Sequence, residues 1–279
     1  MNLLVLGGNG YLGSKICNFF SNSNKIYCTI RKGELPNLLC INKNVIVIDS
    51  DISKVKEIIK QENIDVLINT VCCYERSKED FTNVIEANMK YPLDVITYAI
   101  EKNIGKILTI DTSLPENVNL YSLSKKVVSK IGNYYCSYYN NVTFYNILLE
   151  NFYGEDEPKN RFLHQTIDKL KNNTDIELTS GTQKRDFIYI TDVLNAISIL
   201  IYNKDEKGYY DVPIGTGEGP SIREVVEYLK EITKSKSTLL FGAKPSRANE
   251  PSCIADMTYL NNHGFKLEYT YKKGLKKLV

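Results

Sequence analysis

Leu3-Leu4-Val5-Leu6-Gly7-Gly8-Asn9-Gly10-Tyr11-Leu12-Gly13 decides how the rest of the chain is read. Four consecutive apolar residues predict a short strand buried on both faces. Glycines 7, 8, 10 and 13 follow at once, and Leu12, Ile16, Phe19 and Phe20 recur at helical spacing. The segment is therefore a strand that turns sharply into a helix. Glycine allows such a turn and lets the backbone approach an anion without a Cβ in the way. The helix N-terminus adds free N–H groups and a partial positive charge, which suit a pyrophosphate. The spacing fits both G-x-G-x-x-G (8, 10, 13) and G-x-x-G-x-x-G (7, 10, 13), so spacing alone does not choose between them.

Working outward, further apolar runs are expected as strands at Ile26–Ile30, Val45–Ile48, Val66–Ile68, Ile107–Ile110 and Val142–Leu149. Helix-period segments lie between them, from about Phe81 to Ile100 and from about Tyr121 to Tyr139. Apolar strands alternating with helices predict a parallel sheet covered on both faces. Right-handed crossovers make this an α/β Rossmann doubly wound sheet that binds a dinucleotide at the first turn. After Leu149 the rhythm changes. A helix is expected over Phe162–Lys171, a strand over Phe187–Ile190 and a helix over Thr191–Tyr202. Tyr209–Ile214, a turn with Gly215, Gly217 and Gly219, and a helix capped by Ser221 with Glu224 follow. Residues 1–150 thus read as the dinucleotide-binding domain, with 183–205 adding a strand and a helix. Residues 151–279 read as a smaller C-terminal lobe.

An NAD site of this kind places an acid at the end of the second strand, on the adenosine 2′-hydroxyl. Here that position reads Thr29-Ile30-Arg31-Lys32. A guanidinium there can hold a 2′-phosphate, so NADP(H) is expected as the preferred cofactor with Arg31 as its contact, NAD(H) being the other option. Tyr121-Ser122-Leu123-Ser124-Lys125 places a phenol and an ammonium four residues apart, on one helix face about 6 Å along the axis. A free phenol titrates near pH 10, and a cation within about 4–6 Å lowers that by roughly 1–3 pH units. The pair is expected to act as an acid–base group near neutrality. Thr112, in Asp111-Thr112-Ser113, ends the preceding strand, where ligands bind in such sheets.

Composition narrows the classes. Of 279 residues 43% are apolar and 24% charged, enough to bury a core. A formal charge of +2 gives no bulk attraction for nucleic acid. Seven cysteines without a C-x-x-C pair, and two distant histidines (His164 and His263), argue against a disulfide frame and a metal centre. The N-terminus lacks a signal-peptide pattern and no apolar run approaches about 20 residues, so a soluble, cytoplasmic protein without membrane association is expected. The C-terminal run ending in Lys276-Lys277 reads as a solvated tail.

Taken together, these motifs resemble the extended short-chain dehydrogenase/reductases, the nucleotide-sugar epimerase, dehydratase and reductase family. Asp51-Ile52 is similar to the family's adenine contact. Asn88 precedes Pro92-Leu93 as the family's asparagine does, and Asn151-Phe152-Tyr153-Gly154 is similar to its asparagine-x-tyrosine-glycine turn. Arg185-Asp186-Phe187-Ile188-Tyr189-Ile190, followed by Asp192-Val193, is the most specific single match; Gly215 to Ser221 and Arg247 to Asp256 complete the set. The resemblance implies Thr112, Tyr121 and Lys125 as a catalytic triad. It implies Gly7, Gly10, Tyr11, Leu12, Gly13, Arg31, Asp51 and Ile52 as cofactor contacts, with Tyr121 and Lys125. It further implies Asn151, Arg185 and Arg247 as ligands of a nucleoside-diphosphate sugar, no metal, and a homodimer.

Within the family, 4,6-dehydratases carry Asp-Glu after the catalytic threonine, whereas Ser113-Leu114 stand here. The run Asp-Thr-Ser-Leu-Pro with Tyr-Ser-Leu-Ser-Lys-Lys is similar to CDP-abequose synthase-like 4-keto reductases. The activity implied is NADPH-dependent reduction of the 4-keto group of a deoxyhexose on a nucleoside diphosphate, as in deoxysugar synthesis for surface polysaccharide. An NAD-dependent 4-epimerase uses the same residues and is the nearest rival; a non-catalytic NADP-binding sensor is a rival of another class.

Overall fold

The computed structural model describes residues 1–74, 81–245 and 251–279. The chain divides into two compact units, one of residues 1–148 and 200–212, the other of residues 149–199 and 213–279.

In the first unit, β1 (Asn2–Leu6) runs into α1 (Tyr11–Phe20), and β2 (Lys25–Ile30), β3 (Val45–Asp49), α2 (Ile52–Gln61) and β4 (Val66–Asn69) follow. Next come α3 (Phe81–Ile85), a π-helical turn (Glu86–Lys90), α4 (Tyr91–Glu101), β5 (Lys106–Thr112), α5 (Leu120–Tyr138) and β6 (Thr143–Leu149). The second unit opens with β7 (Asn151–Tyr153), α6 (Phe162–Lys171), β8 (Ile176–Leu178), β9 (Phe187–Tyr189) and α7 (Ile190–Tyr202). It closes, after β10 (Gly208–Ile214), with α8 (Ile222–Thr233), β11 (Leu239–Phe241), α9 (Thr258–Asn262) and α10 (Tyr271–Leu278).

The main sheet has seven strands in the order β10-β6-β5-β4-β1-β2-β3. β1 pairs in parallel with β2 and β4, and the parallel register continues to β3 and β5. The order reverses between β1 and β4, which is the switch point where such sheets bind ligands beyond their strand ends. Leu3, Leu4, Val5 and Leu6 are fully buried, as a strand covered on both faces requires. One core cluster joins Leu4, Leu6, Tyr27, Val55, Val95, Ile96, Ile107, Val128 and Phe144. α2, α4 and α5 thus lie on that sheet through their apolar faces. Burying a side chain of this size contributes roughly 1.5–3 kcal/mol.

Two expectations are corrected. The seventh strand is Gly208–Ile214; Phe187–Tyr189 instead pairs with Asn151–Tyr153 in a two-stranded parallel sheet of the second unit. An apolar run gives a strand but not its partner, so 183–205 could not be placed from periodicity. The C-terminal lysine run is also not a tail. It is helix α10, capped by the Thr270 side chain on Lys273 N–H, with Leu275 fully buried. The Ser221–Glu224 capping box is present at the start of α8. In the second unit Asp186 is fully buried and accepts hydrogen bonds from the N–H groups of Thr216, Gly217 and Ala255 and from the Thr216 hydroxyl. Asp192, also buried, holds the N–H groups of Glu268 and Tyr269. These two carboxylates fix the glycine turn and the C-terminal segment.

Among the described residues no helix is long and apolar enough to cross a membrane.

Candidate active site

Gly7, Gly8 and Gly13 are the crowded positions of the glycine turn; a Cβ on Gly8 would lie 2.8 Å from Cys28 Cβ. Gly7 has a φ of +84°, and a Cβ on it would lie 3.0 Å from Thr70 Oγ1. A Cβ on Gly13 would lie 2.2 Å from the Gly7 carbonyl oxygen, so α1 can start this close to β1 only with glycine there. Gly10 is the N-cap of α1; it has no side-chain cap, and the first turn carries no acid. A Cβ on Gly10 would meet only the Gly7 oxygen, at 3.4 Å. Tyr11, Leu12 and Gly13 form the buried first turn. Backbone donors, a helix dipole and an approach free of Cβ atoms fit a pyrophosphate.

Arg31 follows β2 and is 83% exposed in its side chain; Nη2 lies 2.6 Å from Glu34 Oε1. Glu34 also accepts from Asn9 Nδ2 at 3.0 Å. The cation expected at the 2′ position is therefore joined to an acid three residues on, which the strand-end pattern did not register. Asp51 is the N-cap of α2, accepting from Ser53 N at 2.8 Å, and Ile52 begins that helix. The cap bonds hold the Asp51 carboxyl below its ordinary value, the Ser53 hydroxyl contributing most.

The second cluster joins β4, β5 and α5. Thr112 is the last residue of β5 and is buried. Tyr121 stands in the first turn of α5, which the reciprocal Asn119–Ser122 capping box fixes. The Thr112 side chain lies close enough to Tyr121 to act on its phenol, and its Oγ1 accepts from Leu114 N at 3.2 Å. The Tyr121 ring packs on Tyr74 with centroids 4.9 Å apart. Lys125, one turn on and 4% exposed, donates from Nζ to the Val71 carbonyl at 2.6 Å. Burial pushes the Tyr121 phenol well above its ordinary pKa; nearby Cys72, Tyr74 and Asp111 add to this, and the Thr112 side chain acts against it. Burial pushes the Lys125 ammonium down, against the influence of Cys72 and Asp111. Burial of the phenol thus acts in the opposite sense to the acidification expected from Lys125.

Two further side chains, Asn88 of the resemblance and Asp111, support this cluster. Asn88 is fully buried in the π-turn Glu86–Lys90. Its Oδ1 accepts from Cys73 N at 2.7 Å, and its Nδ2 donates to Cys73 O at 2.9 Å and Ser124 Oγ at 3.0 Å. It holds the loop after β4 beside the helix of Tyr121 and Lys125; π-turns of this kind are frequent at functional sites. Asp111 Oδ2 accepts from Lys126 Nζ at 2.9 Å. The adjoining lysines of the Tyr-Ser-Leu-Ser-Lys-Lys run were the available signal, but helical spacing cannot tell which strand a lysine meets.

In the second unit, Asn151 starts β7 and is exposed, with Nδ2 3.4 Å from Asp186 O. Arg185 donates from Nη1 to the carbonyls of Lys184, at 2.9 Å, and Pro251. Arg247 lies outside the described residues. No group of three or more potential metal ligands occurs among the described residues.

A family model described as the NAD dependent epimerase/dehydratase family matches residues 3–215. A CDP-abequose synthase of Salmonella typhimurium is 27% identical, over 99% of this chain and 97% of that protein. A putative UDP-glucose 4-epimerase of Methanocaldococcus jannaschii is also 27% identical, over 99% of this chain and 97% of its own. The structure of a Bacillus cereus UDP-glucuronic acid 4-epimerase in complex with UDP-glucuronic acid and NAD superposes with a TM-score of 0.86 at 19% identity, covering 99% of this chain and 97% of that one. That last likeness speaks for the fold, whereas the match of residues 3–215 covers the glycine turn, Thr112, Tyr121, Lys125 and Arg185 at once. The chain belongs to the NAD dependent epimerase/dehydratase family.

Proposed function

We propose that this protein is an NADPH-dependent reductase acting on the 4-keto group of a deoxyhexose carried by a nucleoside diphosphate. The observation that carries the reading is the placement of Tyr121 one helical turn before Lys125 in α5, with the buried Thr112 of β5 close enough to act on its phenol. The likeness to CDP-abequose synthases over nearly the whole chain supports the substrate class.

Gly7, Gly10, Tyr11, Leu12 and Gly13 would hold the cofactor's pyrophosphate, Asp51 and Ile52 its adenine, and Arg31 a 2′-phosphate. When bound, the nicotinamide supplies the hydride for carbon 4. Thr112 hydrogen-bonds the substrate's carbonyl oxygen, and Tyr121 donates the proton that the resulting alkoxide needs. A phenol held above its ordinary pKa rests in the donor form, which suits reduction of a ketone. A catalyst that begins by removing a proton needs the phenolate instead. Lys125, fixed by Val71, orients the nicotinamide ribose and stabilises the phenolate left after proton transfer. Asn151, Arg185 and Arg247 bind the diphosphate or neighbouring groups; two guanidinium groups suit that charge. We place the homodimer interface on α5, where Tyr134 and Tyr138 are 64% and 69% exposed and their rings stack 6.3 Å apart.

The test is incubation with NADPH and a panel of CDP-, dTDP-, GDP- and UDP-linked 4-keto-6-deoxyhexoses, with products identified by NMR. One NADPH consumed per sugar reduced is the expected result. Interconversion of two 4-hydroxy epimers with no net NADPH consumption would replace this reading by the 4-epimerase, which the Methanocaldococcus relative favours. NADPH binding with no turnover of any sugar would leave the sensor.

A further inference from the structure

We propose that Asp111 and Lys126 are positioning residues, holding the backbone N–H and C=O of Thr112 and tying its strand end to the helix that carries Tyr121. The inference rests on the proposed roles of Thr112 and Tyr121.

Asp111 is 3% exposed at the end of β5. Its Oδ1 accepts the Thr112 N–H at 2.6 Å. Its Oδ2 accepts from Lys126 Nζ at 2.9 Å and from Asn146 Nδ2 at 3.1 Å. Lys126 Nζ also donates to the Thr112 carbonyl at 2.6 Å. One ion pair therefore occupies the donor and the acceptor of a single residue's backbone. Lys126 belongs to α5, five residues after Tyr121, so the pair locks the register of β5 against α5. Asn146, on β6, braces the carboxylate from the next strand and donates its other hydrogen to Asp211 Oδ1 at 2.8 Å. A buried ion pair is a poor source of net stability, and a well-packed apolar pair does as well. What it supplies is direction, because charge-assisted bonds are short and angularly defined. Direction is what Thr112 needs, since its hydroxyl must meet both the Tyr121 phenol and the substrate oxygen. Cys72, Tyr74 and Asp111 raise the Tyr121 phenol, and the Lys125 ammonium stands one turn along the same helix, so removing the Asp111 charge also eases formation of the phenolate.

The test compares Asp111→Asn, Asp111→Ala, Lys126→Arg, Lys126→Met and the uncharged double variant Asp111→Asn/Lys126→Gln, which keeps a hydrogen-bonding pair if single variants fold poorly. Hydrogen exchange of the 106–114 peptide and NADPH binding, read from the cofactor's own fluorescence, need no turnover. With the panel sugar that is reduced, Asp111→Ala is expected to lower kcat about a hundredfold, the effect of a misplacement near 1 Å, with NADPH Kd within twofold. Adding Asp111→Ala to Thr112→Ala should cost nothing further, whereas Lys126→Arg should stay within about fivefold of wild type, as a conserved cation permits. The basic limb of the pH–rate profile should move to lower pH in Asp111→Asn. Wild-type kcat in Asp111→Ala, or its full loss repeated on top of Thr112→Ala, overturns the proposal. If no panel sugar is reduced, the functional reading has failed separately. Unchanged exchange at 106–114 in both Asp111→Ala and Lys126→Met then overturns the clamp as well, and faster exchange upholds it.

Discussion

Lys125 Nζ donates to the carbonyl of Val71 at 2.6 Å, which ties the ammonium of the Tyr-x-x-x-Lys pair to the loop after β4. The lysine is thereby fixed from the loop after β4, the strand that pairs with Thr112's strand β5. Burial lowers the pKa of this lysine, and the phenol's own burial raises that of Tyr121. Tyr121 and Lys125 of α5, Thr112 of β5 and the loop after β4 are therefore brought together only by the folded sheet.

Tyr121→Phe removes the proposed proton donor and keeps the ring packed on Tyr74. Steady-state assays with NADPH should show kcat reduced by about 10²–10⁴-fold, the usual worth of a general acid. Calorimetry should find NADPH affinity within about twofold of wild type, because the lost hydroxyl is one contact among many.

Arg31→Ala should weaken NADPH by about tenfold or more, as loss of a charge-assisted phosphate contact does, and leave NADH unchanged. Glu34→Gln should act in the opposite sense, because it releases Arg31 from its 2.6 Å partner. Titration of both cofactors against both variants checks the pair; equal NADPH and NADH affinities throughout would remove Arg31 from the site.

Gly13→Ala puts a Cβ 2.2 Å from the Gly7 carbonyl oxygen, a backbone atom that cannot yield. A stability loss of about 1–3 kcal/mol is expected from the overpacking, together with loss of dinucleotide binding. Chemical denaturation and a cofactor titration measure the two effects.

Burial pushes the Glu157 carboxyl up to about 7 from 4.5, although Arg161 lies at 3.1 Å. The folded protein then holds this proton where the unfolded chain has released it. Stability from this group is full below about pH 4.5 and is lost as pH rises to about 7, by up to about 3 kcal/mol at about 1.4 kcal/mol per pH unit. Glu157→Gln should abolish that slope, as seen by comparing Tm at pH 5 and pH 8 for both proteins.

Tyr134 and Tyr138 present their stacked rings on α5 at 64% and 69% exposure. Introducing Tyr134→Glu with Tyr138→Glu should convert a dimer into a monomer in light-scattering chromatography, with NADPH binding retained. A wild-type protein that is monomeric at all concentrations would contradict the dimer directly.

Much of this was legible in one dimension. The run from Leu3 to Gly13 dictated a buried strand, a tight turn and a helix start, because no other residue type tolerates the backbone contacts of Gly7 and Gly13. The strands of the main sheet announced themselves as apolar runs, and α5 kept Tyr121 and Lys125 on one face through the helical repeat. The four tyrosines near its end divide as that repeat requires: Tyr135 bonds Thr97 and, with Tyr139, packs on the core, while Tyr134 and Tyr138 face outward.

Local sequence therefore determined the elements, the glycine turn and the residue types of the site, since each depends on a few neighbouring side chains and on backbone sterics. The tertiary structure alone decided that Gly208–Ile214 completes the sheet, that Glu34 meets Arg31, that Asp111 and Lys126 enclose Thr112, and that the phenol is raised and not acidified. Those outcomes depend on partners distant along the chain and on how much water folding removes, and neither is written in the spacing of residues.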